Sequence, residues 1–342
     1  MGGECVQART ETGDAAVAVY GASGHTGAFV VAELRRRGIP TIAVGRRPAG
    51  LAGGIAARVA AIDDPAALDA ALADCAVVIN CAGPFLDTAS PLIDAALRVA
   101  CSYIDVTAEQ ASAQRTFADY DAAAHRAGIT VIPAAGFYGG LADLLASALA
   151  GDDATDAVDT AVALDRWWPT PGTRRTGERN CVPRVVVENG SLAPIPTVPA
   201  IVDWAFGSTD GTQAVVEMPF SEIITIARHL GARRVHSYLN ASALDEVSSS
   251  GTAAPTAVDA LGRSAQRFVM DVVVSDRNGA RRGRARGQDI YAVSAPIVVE
   301  AAARLRKPGT HRRGALSLAQ AFDACEFLHA LSSAVTVDFD HA

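Results

Sequence analysis

The chain has 342 residues, of which 50% are hydrophobic and 20% are charged, and its formal net charge at pH 7 is −7. This length predicts one large or two ordinary globular domains. The negative net charge gives no reason to expect nucleic acid or an anionic membrane surface as a partner. The six cysteines are scattered without a C-x-x-C pair, which predicts buried free thiols in a reducing cytosol and no metal site.

The amino terminus is polar and rich in glycine over residues 1–14. It lacks the apolar segment of a secretory signal peptide, and we expect it to be disordered. No later stretch approaches the roughly 20 consecutive apolar residues that a membrane-spanning helix needs. A soluble, cytoplasmic protein is therefore expected.

A glycine-rich turn follows the first predicted strand. The run Val17–Tyr20 consists of β-forming residues, and a helical pattern begins at Ala28. Gly21, Gly24 and Gly27 lie between them at a G-x-x-G-x-x-G spacing, in the order strand, turn and helix that is typical of a dinucleotide site. Glycines allow a tight turn and close approach of a pyrophosphate, which the first N–H groups of the helix would bind. The residues expected to bind the cofactor here are Gly21, Ser23, Gly24, His25, Thr26 and Gly27.

The second predicted strand, Thr41–Val44, ends close to Arg46 and Arg47. A NAD site usually has Asp or Glu at this point to bind the ribose hydroxyls. Two guanidinium groups suit the 2′-phosphate of NADP instead, because each is permanently charged and offers several donors. The sequence therefore favours NADP(H), the alternative being a solvated turn.

Strands and helices alternate with short connections as far as about residue 135. Further strands are predicted at residues 58–62, 76–80, 102–106 and 129–132. Helices are predicted to begin at Asp64-Pro65 and Ser90-Pro91 and to cover residues 110–127. This alternation predicts an α/β fold with a doubly wound parallel sheet. Ligands of such sheets bind beyond the carboxyl ends of the strands, so we expect the loop after the fourth strand near the nicotinamide, with these residues: Cys81, Ala82, Gly83, Pro84 and Phe85.

Four motifs together resemble the NADP-binding domain of the saccharopine dehydrogenase-like family. They are the glycine turn, Gly83-Pro84-Phe85, Tyr103-x-Asp105-x-Thr107-x-Glu109 and Ala135-Gly136-Phe137. The resemblance is specific over residues 17–147 and looser beyond. It implies a Rossmann domain joined to a mixed α/β substrate domain, with NADPH as the hydride donor. Members of the family that the chain resembles reduce imines formed from amino acids, or act as trans-acting enoyl reductases on thioester-bound chains.

Two departures from the family pattern leave the substrate class open. Ala108 stands where the family usually has Gly, and residues 136–143 lack the usual Pro. Both lie where the substrate should meet the nicotinamide. In addition, none of the six tyrosines has a Lys four positions later, because Lys307 is the only lysine. The Tyr–Lys pair of short-chain dehydrogenases is therefore missing.

The chain is expected to divide into an NADP-binding domain at residues 15–150, a substrate and dimerisation domain at 151–293, and carboxyl-terminal helices at 294–342 that return to the first domain. Charge and turn composition mark the boundary at Gly151-Asp152-Asp153. Hairpin turns are predicted at Asn189-Gly190 and Asn278-Gly279. Helices are predicted at residues 294–306 and 316–331. One solvated strand face is expected to carry four arginines: Arg281, Arg282, Arg284 and Arg286.

Residues 166–180 combine two tryptophans and four arginines in a segment rich in Pro and Gly. The segment could be a substrate lid with aromatic walls and guanidinium groups. It could equally be a loop at the rim of a subunit interface, where Trp and Arg are also enriched. If it is a lid, Arg179 could bind a substrate carboxylate, with Arg174 and Arg175 beside it.

Four other side chains are candidates for catalysis or binding. Glu109 could hold the carboxamide of the cofactor or a substrate amine. Tyr138 is the hydroxyl nearest to the expected cleft and could donate a proton, although a phenol buried for packing is an equal alternative. His229 or His236 could donate a proton near neutral pH, while a hydrogen-bonded structural histidine is the commoner case.

The sequence therefore predicts an NADPH-dependent reductase that transfers hydride to a C=N or C=O bond of a small metabolite. The alternatives are a trans-acting enoyl reductase that acts on a thioester-bound C=C bond and a protein that binds NADP without turnover. The expected partners are a small-molecule substrate, carboxylate-bearing or carrier-bound, and a second copy of the chain in a homodimer. Nucleic acid and membrane are not expected partners.

Overall fold

A computed structural model describes residues 15–47, 54–151, 154–307, 309 and 311–340. The predicted disordered segment, residues 1–14, lies outside the described residues, as do Asp152 and Asp153 of the predicted domain boundary. Two β-sheets with helices packed against them make up the described part of the chain. The predicted α/β fold is confirmed.

The first sheet contains seven parallel strands within the described residues, in the order β15-β6-β5-β4-β1-β2-β3. The strands are β1 (Ala16–Tyr20), β2 (Thr41–Gly45), β3 (Ala56–Val59), β4 (Cys75–Asn80), β5 (Ser102–Asp105), β6 (Thr130–Ile132) and β15 (Gly314–Ala315). The central strand β4 is covered on both faces, as its continuous apolar run predicts, because successive residues from Val77 to Ile79 are fully buried.

Five helices flank this sheet: α1 (His25–Arg36), α2 (Pro65–Leu72), α3 (Phe85–Val99), α4 (Gln110–Ala127) and α9 (Ser294–Arg306). Asp64 caps α2 as predicted, accepting the Ala67 N–H at 3.0 Å. The prediction that the third helix begins at Ser90-Pro91 is wrong, because α3 begins at Phe85 and contains Pro91. The first N–H groups of α3 donate to the carboxylate of Glu109, a distant residue that no local pattern reveals.

The second sheet is mixed and contains nine described strands, with the main order β10-β11-β12-β7-β13-β14-β16. In addition, β8 pairs with β12, and β9 pairs with β8. Its strands are β7 (Ala157–Leu164), β8 (Val185–Glu188), β9 (Ser191–Pro194), β10 (Ile201–Ala205), β11 (Thr212–Glu217), β12 (Arg234–Asn240), β13 (Arg267–Asp276), β14 (Gly279–Gln288) and β16 (Val335–Asp340). Both predicted hairpins are confirmed, since β8 pairs with β9 and β13 pairs with β14.

The helices around the second sheet are α5 (Ala142–Leu149), α6 (Pro171–Arg179), α7 (Glu222–Ala227), α8 (Ala241–Ser248), α10 (Leu318–Ala321) and α11 (Ala324–Ala330). A π-helical turn, Phe137–Leu141, leads into α5. The helix α5 packs on β13 and β14, and α7 packs on β12. Among the described helices, none is long and apolar enough to cross a bilayer.

The carboxyl-terminal segment contacts both sheets. The helix α9 has the predicted bounds and packs against α1 and β4, and β15 extends the first sheet. The last strand, β16, pairs instead with β14 of the second sheet. The prediction of a single helix over residues 316–331 is wrong. Asp323 accepts the Glu326 N–H at 2.8 Å and is the N-cap of α11, which is a separate helix.

The predicted solvated arginine face is also wrong. Asp271 on β13 is fully buried, and the guanidinium groups of Arg282 and Arg284 on the neighbouring strand β14 bind its carboxylate. Nε of Arg282 donates to Oδ1 of Asp271 at 2.8 Å, and the indole N–H of Trp204 donates to Oδ2 at 3.3 Å. These arginines therefore neutralise a buried charge, which would otherwise be costly.

Candidate cofactor and substrate site

A crevice of about 950 Å³ lies between the carboxyl ends of the first sheet and the second sheet. The glycine turn after β1 lines one end of the crevice. The loop after β4 and the residues that follow β5 line its side wall. The other end is lined by the π-helical turn and by residues before β8 and after β11, while α6 lies along the crevice. It therefore joins the two halves of the fold at the edge where doubly wound sheets bind ligands.

The glycine turn packs too closely for side chains at two of its positions. Gly21 has a left-handed φ of +80°, and a Cβ there would lie 2.9 Å from the Cβ of Ala82. A Cβ on Gly27 would lie 2.2 Å from the carbonyl oxygen of Gly21, so only glycine lets α1 pack on this turn. The turn lies at the crevice with Ser23, Gly24, His25 and Thr26.

The amino terminus of α1 is free to bind an anion. Its N-cap is Gly24, which provides no capping side chain, and the first turn carries no acidic residue. The helix starts at His25, three residues earlier than predicted. Its first N–H groups and its dipole therefore favour negative charge in the crevice.

The two arginines after β2 occupy different positions. Both side chains are exposed, but only Arg46 is among the residues that line the crevice. Burial of the neighbouring Tyr20 raises its phenol pKa, and the charge of Arg46 opposes that rise. The structure thus brings Arg46 to the predicted site and leaves Arg47 beside it.

Glu109 fixes the loop after β4. One carboxylate oxygen accepts the N–H of Phe85 at 2.8 Å and the other accepts that of Leu86 at 3.0 Å. Burial raises the pKa of Glu109, and these two donors act against that rise. Glu109 lines the crevice. Through these two hydrogen bonds it mainly holds in place the loop formed by Cys81, Ala82, Gly83, Pro84 and Phe85.

Asp105 ties together the loops that follow β5 and β6. Its carboxylate accepts the phenol of Tyr103 at 2.9 Å, the N–H of Thr107 at 3.0 Å and that of Ala134 at 2.8 Å. Burial raises the pKa of Asp105 to about 6, and these three hydrogen bonds oppose the rise. The amide of Asn80, at the end of β4, donates to the Tyr103 oxygen at 3.2 Å. Three strand ends thus share one buried network, and only Asn80 was missed by the sequence motif.

Tyr138 projects into the crevice from the π-helical turn. Its ring stacks on Phe220 with the centroids 4.1 Å apart. Its hydroxyl is buried and has no hydrogen-bond partner among the described residues. Burial raises the pKa of Tyr138 well above its ordinary value. Nε2 of His25 is likewise buried without a hydrogen-bond partner among the described residues. Burial lowers the pKa of this histidine.

Residues 171–179, predicted as part of a loop, form the helix α6. Thr170 is its N-cap and accepts the Thr173 N–H at 3.0 Å, with Pro171 in the first position. The buried Trp167 lines the crevice, and its indole N–H donates to the hydroxyl of Tyr291 at 3.1 Å. Residues of α6 line the crevice, as a cover would, and a rim at a subunit interface stays the alternative.

Three predicted polar candidates lie elsewhere. Arg179 is exposed, pairs with Asp87 at 2.9 Å and is not among the residues that line the crevice. His229 lies 2.7 Å from the buried carboxylate of Asp143, and His236 lies between two glutamates. These contacts support the structural alternative for both histidines.

Sequence reasoning missed Arg184 and Phe220, which line the crevice. Their segments carry no motif, and contacts distant in sequence place them there. Within the part of the chain that the structure describes, no group of three or more His, Cys, Asp or Glu side chains could hold a metal ion. The described cysteines are free thiols, and burial raises the pKa of Cys81 in the crevice.

Residues 17–132 match the family model of the saccharopine dehydrogenase NADP binding domain. The match spans strands β1 to β6 of the first sheet, which is about a third of the chain. The resemblance inferred from the four motifs is confirmed, and so is NADP(H) as the cofactor. The matched segment contains the glycine turn, the Gly83 loop and Asp105 with its partners Tyr103 and Thr107.

Two curated relatives match part of the chain. The saccharopine dehydrogenase-like oxidoreductase of Mus musculus is 28% identical over 150 residues, and that of Bos taurus is 29% identical over 151 residues. Each match covers 37% of this chain and 35% of the relative. The matched segment is thus about a third of the length of these relatives.

A solved structure matches nearly the whole chain. It is the apo, histidine-tagged saccharopine dehydrogenase (L-Glu forming) from Saccharomyces cerevisiae, with a TM-score of 0.60 and 11% sequence identity. The match covers 96% of this chain and 100% of that chain. At this identity the similarity shows a shared fold, which extends over both sheets.

Proposed function

We propose that the protein is an NADPH-dependent reductase that transfers hydride to a C=N or C=O bond of a small metabolite. The observation that carries the proposal is the single crevice, which is lined both by the glycine turn of the NADP-binding domain and by Tyr138, Trp167 and Phe220. A cofactor and a substrate could therefore meet in one water-poor space.

The residues of the cofactor end fit NADP(H). The close packing at Gly21 and Gly27 leaves a side-chain-free cradle, and the uncapped first turn of α1 suits the pyrophosphate. Arg46 would bind the 2′-phosphate. The Gly83-Pro84-Phe85 loop, held by Glu109, would form the wall beside the nicotinamide. When bound, NADPH supplies the hydride.

The residues of the substrate end would orient the acceptor and supply a proton. Tyr138 suits this role because the residue lines the crevice and its buried hydroxyl has no hydrogen-bond partner among the described residues. Its raised pKa keeps the phenol protonated at neutral pH. The aromatic rings of Trp167 and Phe220 exclude water from the same space. Arg179, bound to Asp87 outside the crevice, has no part in this proposal.

A trans-acting enoyl reductase is the second candidate. Its support is the apolar and aromatic lining of the inner crevice, which would suit an acyl chain as well as a small metabolite. In that case the acceptor would be a thioester-bound C=C bond. A homodimer stays a prediction for either enzyme.

The test is substrate-dependent oxidation of NADPH, followed by absorbance with panels of imines, ketones and enoyl thioesters. We expect turnover with an imine or a ketone and much less with enoyl thioesters. The reverse preference would replace the first candidate by the second. NADPH binding without turnover of any panel would favour a protein that binds the cofactor and does not react.

A further inference from the structure

The inner end of the crevice forms a substrate chamber, which we define by Tyr138, Trp167, Arg184, Met218 and Phe220. Aromatic rings and a thioether make up most of this surface. Tyr138 stacks on Phe220 with ring planes 28° apart, and Trp167 lies 6.3 Å from Phe220 between ring centroids. Such a surface favours a planar, apolar ligand.

Arg184 is the cation of the substrate chamber. Its guanidinium carbon lies 4.7 Å from the centroid of the Phe220 ring, and one of its N–H groups donates to the carbonyl of Pro219 at 2.6 Å. Burial lowers the pKa of Arg184. Among the described residues, no carboxylate lies within ion-pair distance of it, unlike Arg179, which Asp87 binds. Several of its donors therefore remain open to a ligand.

A contact between the two domains sets the position of Arg184. The side-chain amide of Gln110 donates to the carbonyl of Val185 at 2.7 Å and accepts its N–H at 2.9 Å. Gln110 directly follows Glu109, which holds the Gly83 loop. Arg184 is thus fixed next to the end of β5, on the side of the crevice where the nicotinamide is expected.

The nearest acidic group does not neutralise Arg184 directly. Glu222 is buried, and one of its carboxylate oxygens accepts the N–H of Phe220 at 2.8 Å. The other oxygen is buried without a partner among the described residues. Burial raises the pKa of Glu222, and the nearby charge of Arg184 opposes that rise. The two side chains form no ion pair in the described structure, so the open donors of Arg184 can bind an anion.

We propose that Arg184 binds the carboxylate of an acceptor whose body is aromatic or otherwise planar and apolar. The stacked rings of Tyr138 and Phe220 hold the body, and the guanidinium fixes the carboxylate next to them. This inference rests on the proposed reductase function for the identity of the acceptor, but the binding itself needs no turnover. It names a substrate class and assigns to Arg184 the anion contact that the sequence favoured for Arg179.

The binding test uses three probes, benzoate, benzamide and acetate, with tryptophan fluorescence as the readout in the presence and absence of NADP⁺. Trp167 lies in the chamber, and a Trp167→Phe variant identifies its share of the signal. Benzoate is expected to bind at least about tenfold more tightly than benzamide, which lacks the charge, and than acetate, which lacks the ring. Equal binding of benzoate and benzamide, or no binding of benzoate, overturns the inference.

Three variants identify the residue responsible. Arg184→Met should remove the preference for benzoate over benzamide, and Arg184→Lys should retain part of it because the charge remains. Arg179→Met is the matched control and should bind benzoate as the parent does. An unchanged preference in Arg184→Met would refute the role of Arg184, provided that its thermal unfolding is like that of the parent.

Binding of NADPH is measured in a separate titration. A protein that binds benzoate but not NADPH would refute the proposed reductase and leave the anion site in place. A protein that binds NADPH but shows no charge preference would refute the anion site alone.

Discussion

The two ends of the crevice are built in different ways. At the cofactor end, the proposed pyrophosphate cradle is backbone from one continuous stretch, in which Gly21 and Gly27 allow a close approach that side chains would block. The substrate chamber is made of side chains from separate segments of both domains, such as Tyr138, Arg184 and Phe220. The first construction needs specific residues at fixed spacing, whereas the second needs only that the fold bring suitable side chains together. The comparison explains why one end carries a motif and the other does not.

The largest expected effect comes from adding one methyl group to the cofactor end. In Gly27→Ala, the new Cβ would lie 2.2 Å from the carbonyl oxygen of Gly21, so the turn must move. We expect NADPH affinity to fall more than about hundredfold, since small displacements of a binding loop have effects of this size, with a loss of stability of about 1–3 kcal/mol.

The control for this variant is Gly251→Ala, which lies outside the crevice lining and where the nearest atom to a new Cβ would be Oγ of Ser249 at 3.8 Å. That change should leave NADPH affinity unaltered, because 3.8 Å is an ordinary van der Waals contact. If both alanine variants bound NADPH equally well, the backbone cradle would have no role in cofactor binding.

The second prediction tests whether a residue of the substrate chamber can affect turnover without affecting cofactor binding. Tyr138→Phe removes the unpartnered hydroxyl and keeps the ring that stacks on Phe220. We expect kcat to fall about hundredfold, the usual range for loss of a proton donor, with the NADPH dissociation constant unchanged. Steady-state kinetics and fluorescence titration measure the two quantities. Tyr120→Phe, on the outer helix α4, should change neither. Full turnover in Tyr138→Phe would exclude this phenol as the donor.

The third prediction concerns Asp105, which supports both ends through the loops after β5 and β6. Its folded-state pKa of about 6 lies above the ordinary value of 3.8, so between these values the folded protein binds more protons than the unfolded chain. The contribution of Asp105 to the free energy of unfolding should therefore decrease as the pH rises from about 4 to about 6.

Urea unfolding at several pH values tests this sign. Asp105→Asn keeps an oxygen acceptor and cannot titrate, so the difference between parent and variant should change by about 1–3 kcal/mol over this interval. Asp69→Asn, at a partly exposed ion pair with Arg98, is the control and should change stability by less than about 1 kcal/mol at any pH. A difference between parent and Asp105→Asn that is independent of pH would mean that Asp105 has its ordinary pKa.

What the sequence could predict follows the same division. Local patterns predicted the glycine turn, the alternation of strands and helices, and the bounds of α9, because each depends on neighbouring residues. They failed for α3, whose cap is Glu109, and for the arginines of β14, which bind Asp271 on another strand. They also failed for Arg184, because its position depends on a contact between distant residues. The hydrogen bond that fixes it joins the neighbouring Val185 to Gln110, 75 residues away.

The measurement that tests the central claim most directly is a fluorescence titration with NADPH and NADH, using the parent, Arg46→Ala and Arg47→Ala. Arg46 lines the crevice and Arg47 does not, so the parent should prefer NADPH by about tenfold or more, from charged hydrogen bonds to the 2′-phosphate. Arg46→Ala should lose most of this preference and Arg47→Ala should keep most of it. Equal affinity of the parent for both nucleotides, or binding of neither, would contradict an NADPH site in this crevice.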